Sequence, residues 1–178
     1  MANRAFIYLA LLLLSTAATA DCGVVVTGSM TFRPHEPARS VPEASYLDSQ
    51  GERRPLNSLD GVPRLVNFWG TWCPPCVKEV PSLDRLVSDS GQWGLKVLAP
   101  AWERTGGFRQ VNEFLNRLSV GNLDAALDPE GEAARAFRVR TLPTTVLIDR
   151  HNGWVGTFVG GVDWDSPVIR QLIANCLD

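Results

Sequence analysis

Arg64-Leu65-Val66-Asn67-Phe68-Trp69-Gly70-Thr71-Trp72-Cys73-Pro74-Pro75-Cys76 is the stretch on which the reading of this chain turns. Residues 64–69 form a short segment rich in strand formers, as a central strand covered on both faces requires. Gly70-Thr71-Trp72 predicts a turn. Beyond it Val77, Val80, Leu83, Leu86 and Val87 recur at helical spacing, so a helix is predicted to start at Cys73, its N-cap, and to run to about Ser90. Pro81 is predicted to kink that helix, because it removes a donor and crowds the preceding turn.

This arrangement gives the two thiols different chemistry. The first sulfur lies at a helix N-terminus, where unpaired N–H groups and the positive end of the helix dipole favour thiolate. Cys73 is therefore the expected nucleophile, and Cys76, one turn inward, the thiol that resolves a mixed disulfide. Neither Pro74 nor Pro75 has an N–H to offer the Cys73 sulfur. A less stabilised thiolate follows, and with it a pair that leans toward reducing rather than oxidising its substrates. Trp72 is expected to stand partly exposed beside Cys73, where it could touch substrate together with Pro74 and Pro75. Core packing is the alternative for any one of six tryptophans.

Other uses of a Cys-x-x-Cys pair fit less well. Zinc needs four ligands, and Cys22, Cys176, His35 and His151 match no ligand spacing, so neither metal nor cofactor is expected. A Cu(I)-binding metallochaperone is the competing class, since thiolates suit that soft ion. It would want a nearby His or Met, and beyond the N-terminal leader Met30 is the only methionine. A disulfide oxidase differs from the leading reading only in potential. For peroxide reduction a Thr three residues before the first cysteine is missing, that place being Gly70.

The flanking sequence supplies an alternating α/β pattern. Residues 21–43 contain Pro34, Pro37 and Pro42 and predict an extended lead-in without a domain of its own. Ala44 to Leu59 predicts a small hairpin turning at Ser49-Gln50-Gly51, and Asp60-Gly61 another turn. Leu95 to Ala99 reads as a strand, Phe108 to Leu118 as an amphipathic helix, and Glu130 to Phe137 as a short helix. Thr144–Asp149 and Val155–Val159 flank the turn His151-Asn152-Gly153 as a hairpin, and Pro167 opens a closing helix to Cys176. The sum is one domain over residues 44–178, a βαβ unit followed by ββα around one mixed sheet.

With 178 residues and a net charge of −2, the chain suits a single core and has no basic stripe for nucleic acid. Residues 1–20 carry one charge, Arg4, an apolar run from Ala5 to Leu14 and the small residues Ala18-Thr19-Ala20, which predicts an export signal peptide. An uncleaved anchor is the alternative. In an oxidising compartment Cys22 and Cys176, near the two ends of the exported chain, could form a structural disulfide; two free thiols are the other reading.

Asn67 to Cys76, followed by Glu79 and Pro81, together with Thr141-Leu142-Pro143-Thr144, resembles the TlpA/ResA type of extracytoplasmic thioredoxin-like protein over roughly Ala44 to Cys176. The resemblance implies a thioredoxin fold, a central mixed sheet flanked by helices with an N-terminal β-hairpin extension, and protein-disulfide reductase activity. It implies that Pro143 is cis and faces the active-site disulfide, so that Leu142 can pair with substrate main chain. It also implies that Glu79 handles protons near Cys76, although a plain first-turn helix acid is an alternative. Asn67 departs from thioredoxin itself, which has a buried Asp there. Clients would be disulfide-containing exported proteins, of the cytochrome c or cytochrome oxidase biogenesis type, with a membrane thiol-disulfide relay as electron donor. A monomer in the periplasm, soluble or anchored, is the expected setting.

Overall fold

All five residues of the strand Arg64–Phe68 are buried. Successive side chains of a strand point to opposite sides, so such a strand must be covered twice. Leu65 joins the apolar cluster that includes Val80, Leu83 and Leu86, whereas Val66 and Phe68 join the one that includes Ala133, Ala134 and Phe137. Helices therefore flank both faces of the sheet.

A computed structural model describes residues 22–57 and 61–177. The predicted signal peptide and Asp60 of the predicted turn lie outside these residues. Along the chain run β1 (Val25–Thr27), β2 (Met30–Ser40), β3 (Ser45–Leu47), β4 (Arg53–Pro55), β5 (Arg64–Phe68), α1 (Pro74–Ser90), β6 (Lys96–Leu98) and β7 (Pro100–Ala101). They are followed by α2 (Gly107–Arg117), β8 (Ala126–Leu127), α3 (Glu132–Ala136), β9 (Thr144–Ile148), β10 (Gly153–Val159) and α4 (Pro167–Leu177). The strands form a six-stranded sheet ordered β1-β2-β10-β9-β5-β6 and a four-stranded sheet ordered β4-β3-β8-β7. β5 pairs parallel with β6 and antiparallel with β9, so the main sheet is mixed. Among the described residues no helix is long and apolar enough to cross a membrane.

The arrangement departs from the sequence expectation in two places. One mixed sheet was expected; the structure has two, joined by a bridge between Trp69 and Ala101. Pro100 supplies the reason, since it has no N–H to extend the β6 ladder; the pairing resumes in the same parallel register at Trp69 and Ala101, while β7 also pairs with β8. The segment expected as a lead-in is extended, but it is part of the sheet. β1 and β2 form a hairpin, β2 pairs with β10, and Met30 and Phe32 are core residues. Phe32 meets Phe158 ring to ring at 4.5 Å. Prolines are tolerated because the pairing with β10 slips between Gly156 opposite Pro34 and Trp154 opposite Arg39, so Pro37 falls in the unpaired run. The predicted hairpin after Ala44 is β3–β4, with Ser45 opposite Pro55; it belongs to the smaller sheet.

α1 buries Cys76, Glu79, Val80, Leu83 and Leu86, one stripe at helical spacing, and runs unbroken through Pro81. Cys22 and Cys176 are joined as a disulfide with Cα atoms 4.9 Å apart. The bond fastens the start of the N-terminal hairpin to α4.

Candidate active site

The turn after β5 is held by its own backbone and by a buried carboxylate. The Cys73 N–H donates to Gly70 O at 3.1 Å, and the Cys73 carbonyl accepts the first helical bond from the Val77 N–H at 3.1 Å. Cys73 is the N-cap of α1, with Pro74 and Pro75 in the first turn and no acidic residue there. Of the N–H groups that a helix start leaves open, two are thus absent and one is engaged; the Cys76 N–H is the first left to meet a Cys73 thiolate. Cys73 and Cys76 form a disulfide, Cα to Cα 5.3 Å. Cys73 keeps 4% of its surface exposed and Cys76 none. Cys73 borders a cleft, whereas Cys76 is sealed in the interior.

Glu79 lies one turn past Cys76 and is 3% exposed. Its Oε1 accepts a bond from Asn67 Nδ2 at 2.7 Å and its Oε2 one from the Val162 N–H at 2.8 Å. Burial raises the Glu79 pKa to about 7, the two hydrogen bonds pulling the other way. A carboxyl titrating at neutral pH beside a buried thiol can take or give a proton. The dipole alone does not account for this placement, because a dipole-favoured acid would sit in water. Asn67 also donates to Thr145 Oγ1 at 2.8 Å, which ties β9 into the same site.

The Leu142–Pro143 peptide is cis. Pro143 O accepts from the Gly160 N–H at 3.0 Å, and Thr141 O from Thr144 Oγ1 at 2.8 Å. Leu142 and Thr141 border a cleft together with Trp72, Cys73, Pro74 and Pro75. Of the site residues named from the sequence, Trp72, Cys73, Pro74, Pro75 and Leu142 border this one cleft, Cys76, Glu79 and Pro143 are buried, and Cys22 and Cys176 are bonded to each other near the two ends of the chain.

Trp72 is 60% exposed; its Nε1 donates to Trp102 O at 3.0 Å. Gly70 explains the absence of Thr there: a Cβ on it would come within 2.9 Å of the Trp72 indole nitrogen. Trp69, in contrast, is core, donating through Nε1 to Ala99 O at 2.8 Å.

Sequence reasoning missed a second buried acid. Glu103 Oε1 accepts the Thr71 N–H at 2.6 Å, and its Oε2 accepts Gln110 Nε2 at 3.0 Å. Gln110 Nε2 also reaches Thr71 Oγ1 at 2.7 Å. Glu103 and Gln110 follow β7 and start α2 with no spacing signature, so only the fold brings them under the turn.

Fold and site together define a thioredoxin-like domain carrying a dithiol that closes across one helical turn. The chain belongs to the AhpC/TSA family, whose model matches residues 37–154. It is 31% identical over 115 residues to the thiol-disulfide oxidoreductase ResA of Halalkalibacterium halodurans, covering 65% of this chain and 64% of that one. To the protein of the same name in Geobacillus kaustophilus it is 30% identical over 134 residues, 75% of this chain and 74% of the relative. Among solved structures, a Chlorobium tepidum protein provisionally assigned as thiol:disulfide interchange protein DsbE superposes with a TM-score of 0.68. It is 25% identical and matches 79% of this chain and 97% of its own. The chain thus spans a little under two thirds of the first relative and about three quarters of the second.

Proposed function

We propose that the protein is an exported thiol-disulfide oxidoreductase that reduces disulfides in client proteins through Cys73 and Cys76. The observation that carries this reading is the asymmetry of the pair: one sulfur at the helix mouth, the other sealed a turn inward beside Glu79. In the reduced enzyme the Cys73 thiolate attacks one sulfur of a client disulfide, forming a mixed disulfide and releasing the first client thiolate. Cys76 gives its proton to the Glu79 carboxylate and attacks the Cys73 sulfur. That step closes the Cys73–Cys76 bond and releases the second client thiolate, which regains a proton from Glu79 or water. The client gains two electrons and the pair loses two. Leu142, ahead of Pro143, offers main chain for the client to pair with during attack.

Three further features support the setting. A bonded Cys22–Cys176 pair suits an oxidising compartment, hence export to the periplasm. Re-reduction then requires a thiol donor on the inner side of the membrane, reached through a membrane thiol-disulfide relay. The helix start, short of two N–H donors, favours the reducing direction. We extend the proposal to clients of the cytochrome c or cytochrome oxidase biogenesis type, the class that the resemblance of the Cys73–Cys76 and Thr141–Thr144 motifs implies, and to a monomeric enzyme. The reading is tested by the equilibrium potential of the Cys73–Cys76 couple and by insulin reduction. A potential on the order of −120 mV, that of a strong periplasmic oxidant, overturns the direction; full turnover in Cys73→Ser overturns the mechanism.

A further inference from the structure

Two clefts are lined by Trp72. One, of about 370 Å³, runs from Cys73 and Pro74 along Arg140, Thr141 and Leu142. The other, of about 470 Å³, lies between Trp72, Trp102, Arg104 and Gln110. The exposed Trp72 and the half-buried Trp102 line both, and Cys73 borders the first.

The exposed charges that border these clefts have one sign. Arg104 and Arg140 are exposed and border the clefts. The carboxylate there, Glu103, is buried, with its oxygens already accepting from Thr71 and Gln110. Arg53, Arg54, Arg85, Arg109 and Arg170 are in ion pairs with acids, whereas Arg33, Arg39, Arg117, Arg135, Arg138 and Arg150, which do not line these clefts, are not. Among the described residues, neither Arg104 nor Arg140 is in an ion pair. Two exposed guanidinium groups, one bordering each of two clefts that share Trp72, raise the local concentration of an oppositely charged partner.

We propose that the paired clefts select a client segment that lies extended across Cys73, places an apolar or aromatic side chain against Trp72 and carries Asp or Glu on both sides of the cysteine being reduced. This deepens the exchange reading given above and rests on it. The aromatic contact supplies area at low entropic cost, since an indole has two torsions to fix. The two arginines set orientation and rate of encounter, and exposed charges act mainly on association.

The test uses two disulfide-bridged peptides of one framework, with acidic residues flanking the cysteines in one and lysines in the other. At low ionic strength the reduced protein should reduce the acidic peptide about tenfold faster than the basic one, an advantage that fades as salt approaches molar concentration. In the doubly reversed variant Arg104→Glu with Arg140→Glu the order of the two peptides should invert. A merely structural lesion would slow both alike, so the ratio is the readout. Equal rates in the unmodified protein, or an unchanged preference in the variant, overturn the proposal. Failure of the exchange reading shows separately: the unmodified protein would then not reduce hydroxyethyl disulfide, which is uncharged. Affinities of serine-for-cysteine peptides, followed by tryptophan fluorescence on the oxidised protein, would still report the charge preference, and equal affinities overturn it.

Discussion

Asn67 and Glu79 face each other from sheet to helix, the amide of one donating to the carboxyl of the other at 2.7 Å in the interior beside Cys76. That bond opposes burial in setting the Glu79 pKa. Replacing Asn67 by Ala should therefore raise the Glu79 midpoint above about 7, which ¹³C-detected NMR titration of the carboxyl can follow. An unchanged or lowered midpoint would show that the amide does not hold the charged form.

The same carboxyl makes stability depend on pH in a defined sense. Its folded pKa lies above its ordinary value of 4.5, at about 7. Its contribution is fully present below pH 4.5 and is lost as pH rises to about 7, because the unfolded chain releases the proton first. The loss should be on the order of a few kcal/mol across that window. Denaturation curves of Glu79→Gln should lack this slope, and its resolving step should lose its dependence on pH near neutrality.

The Cys22–Cys176 bond closes a loop with a sequence separation of 154. Replacing both by Ser should cost roughly 2–5 kcal/mol in chemical denaturation, with the Cys73–Cys76 potential little changed. A stability equal to that of the parent would mean that the hairpin stays docked without the tether.

Glu103 should act as a positioning residue. In Glu103→Ala the half-buried Thr71 N–H loses its acceptor, a cost of about 1 kcal/mol, and the turn that carries Trp72 and Cys73 loosens. Slower client exchange with a shift in Trp72 fluorescence is expected. Glu103→Gln, which keeps one acceptor oxygen, should recover part of both.

Gly131 has φ +66°, and a Cβ there would lie 2.6 Å from the Trp102 ring. Gly131→Ala should therefore cost at least about 1 kcal/mol, and it should displace Trp102, whose carbonyl anchors the Trp72 indole. Crystallography of the variant, or quenching of Trp72 by acrylamide, reads the displacement.

Much of the fold was legible because the pattern was local. The helical spacing from Val77 to Leu86 gave α1, and strand formers bounded by turns gave β5, β9 and β10. The N-terminal hairpin was not legible, because Pro34 and Pro37 break strands by their own chemistry. The slipped register against β10 leaves Pro37 unpaired, while Pro34 keeps its place opposite Gly156.

For the site, the sequence alone placed Cys73 at a helix start with Cys76 and Glu79 behind it, since three- and four-residue spacings on one helix bring side chains together without help from elsewhere. Tertiary structure decided the remainder. It brought Asn67 to Glu79, Glu103 and Gln110 to Thr71, Trp102 to Trp72, and Cys22 to Cys176. These partners lie on different strands and helices, and a distance between elements follows from how faces pack, a property that no window of sequence contains.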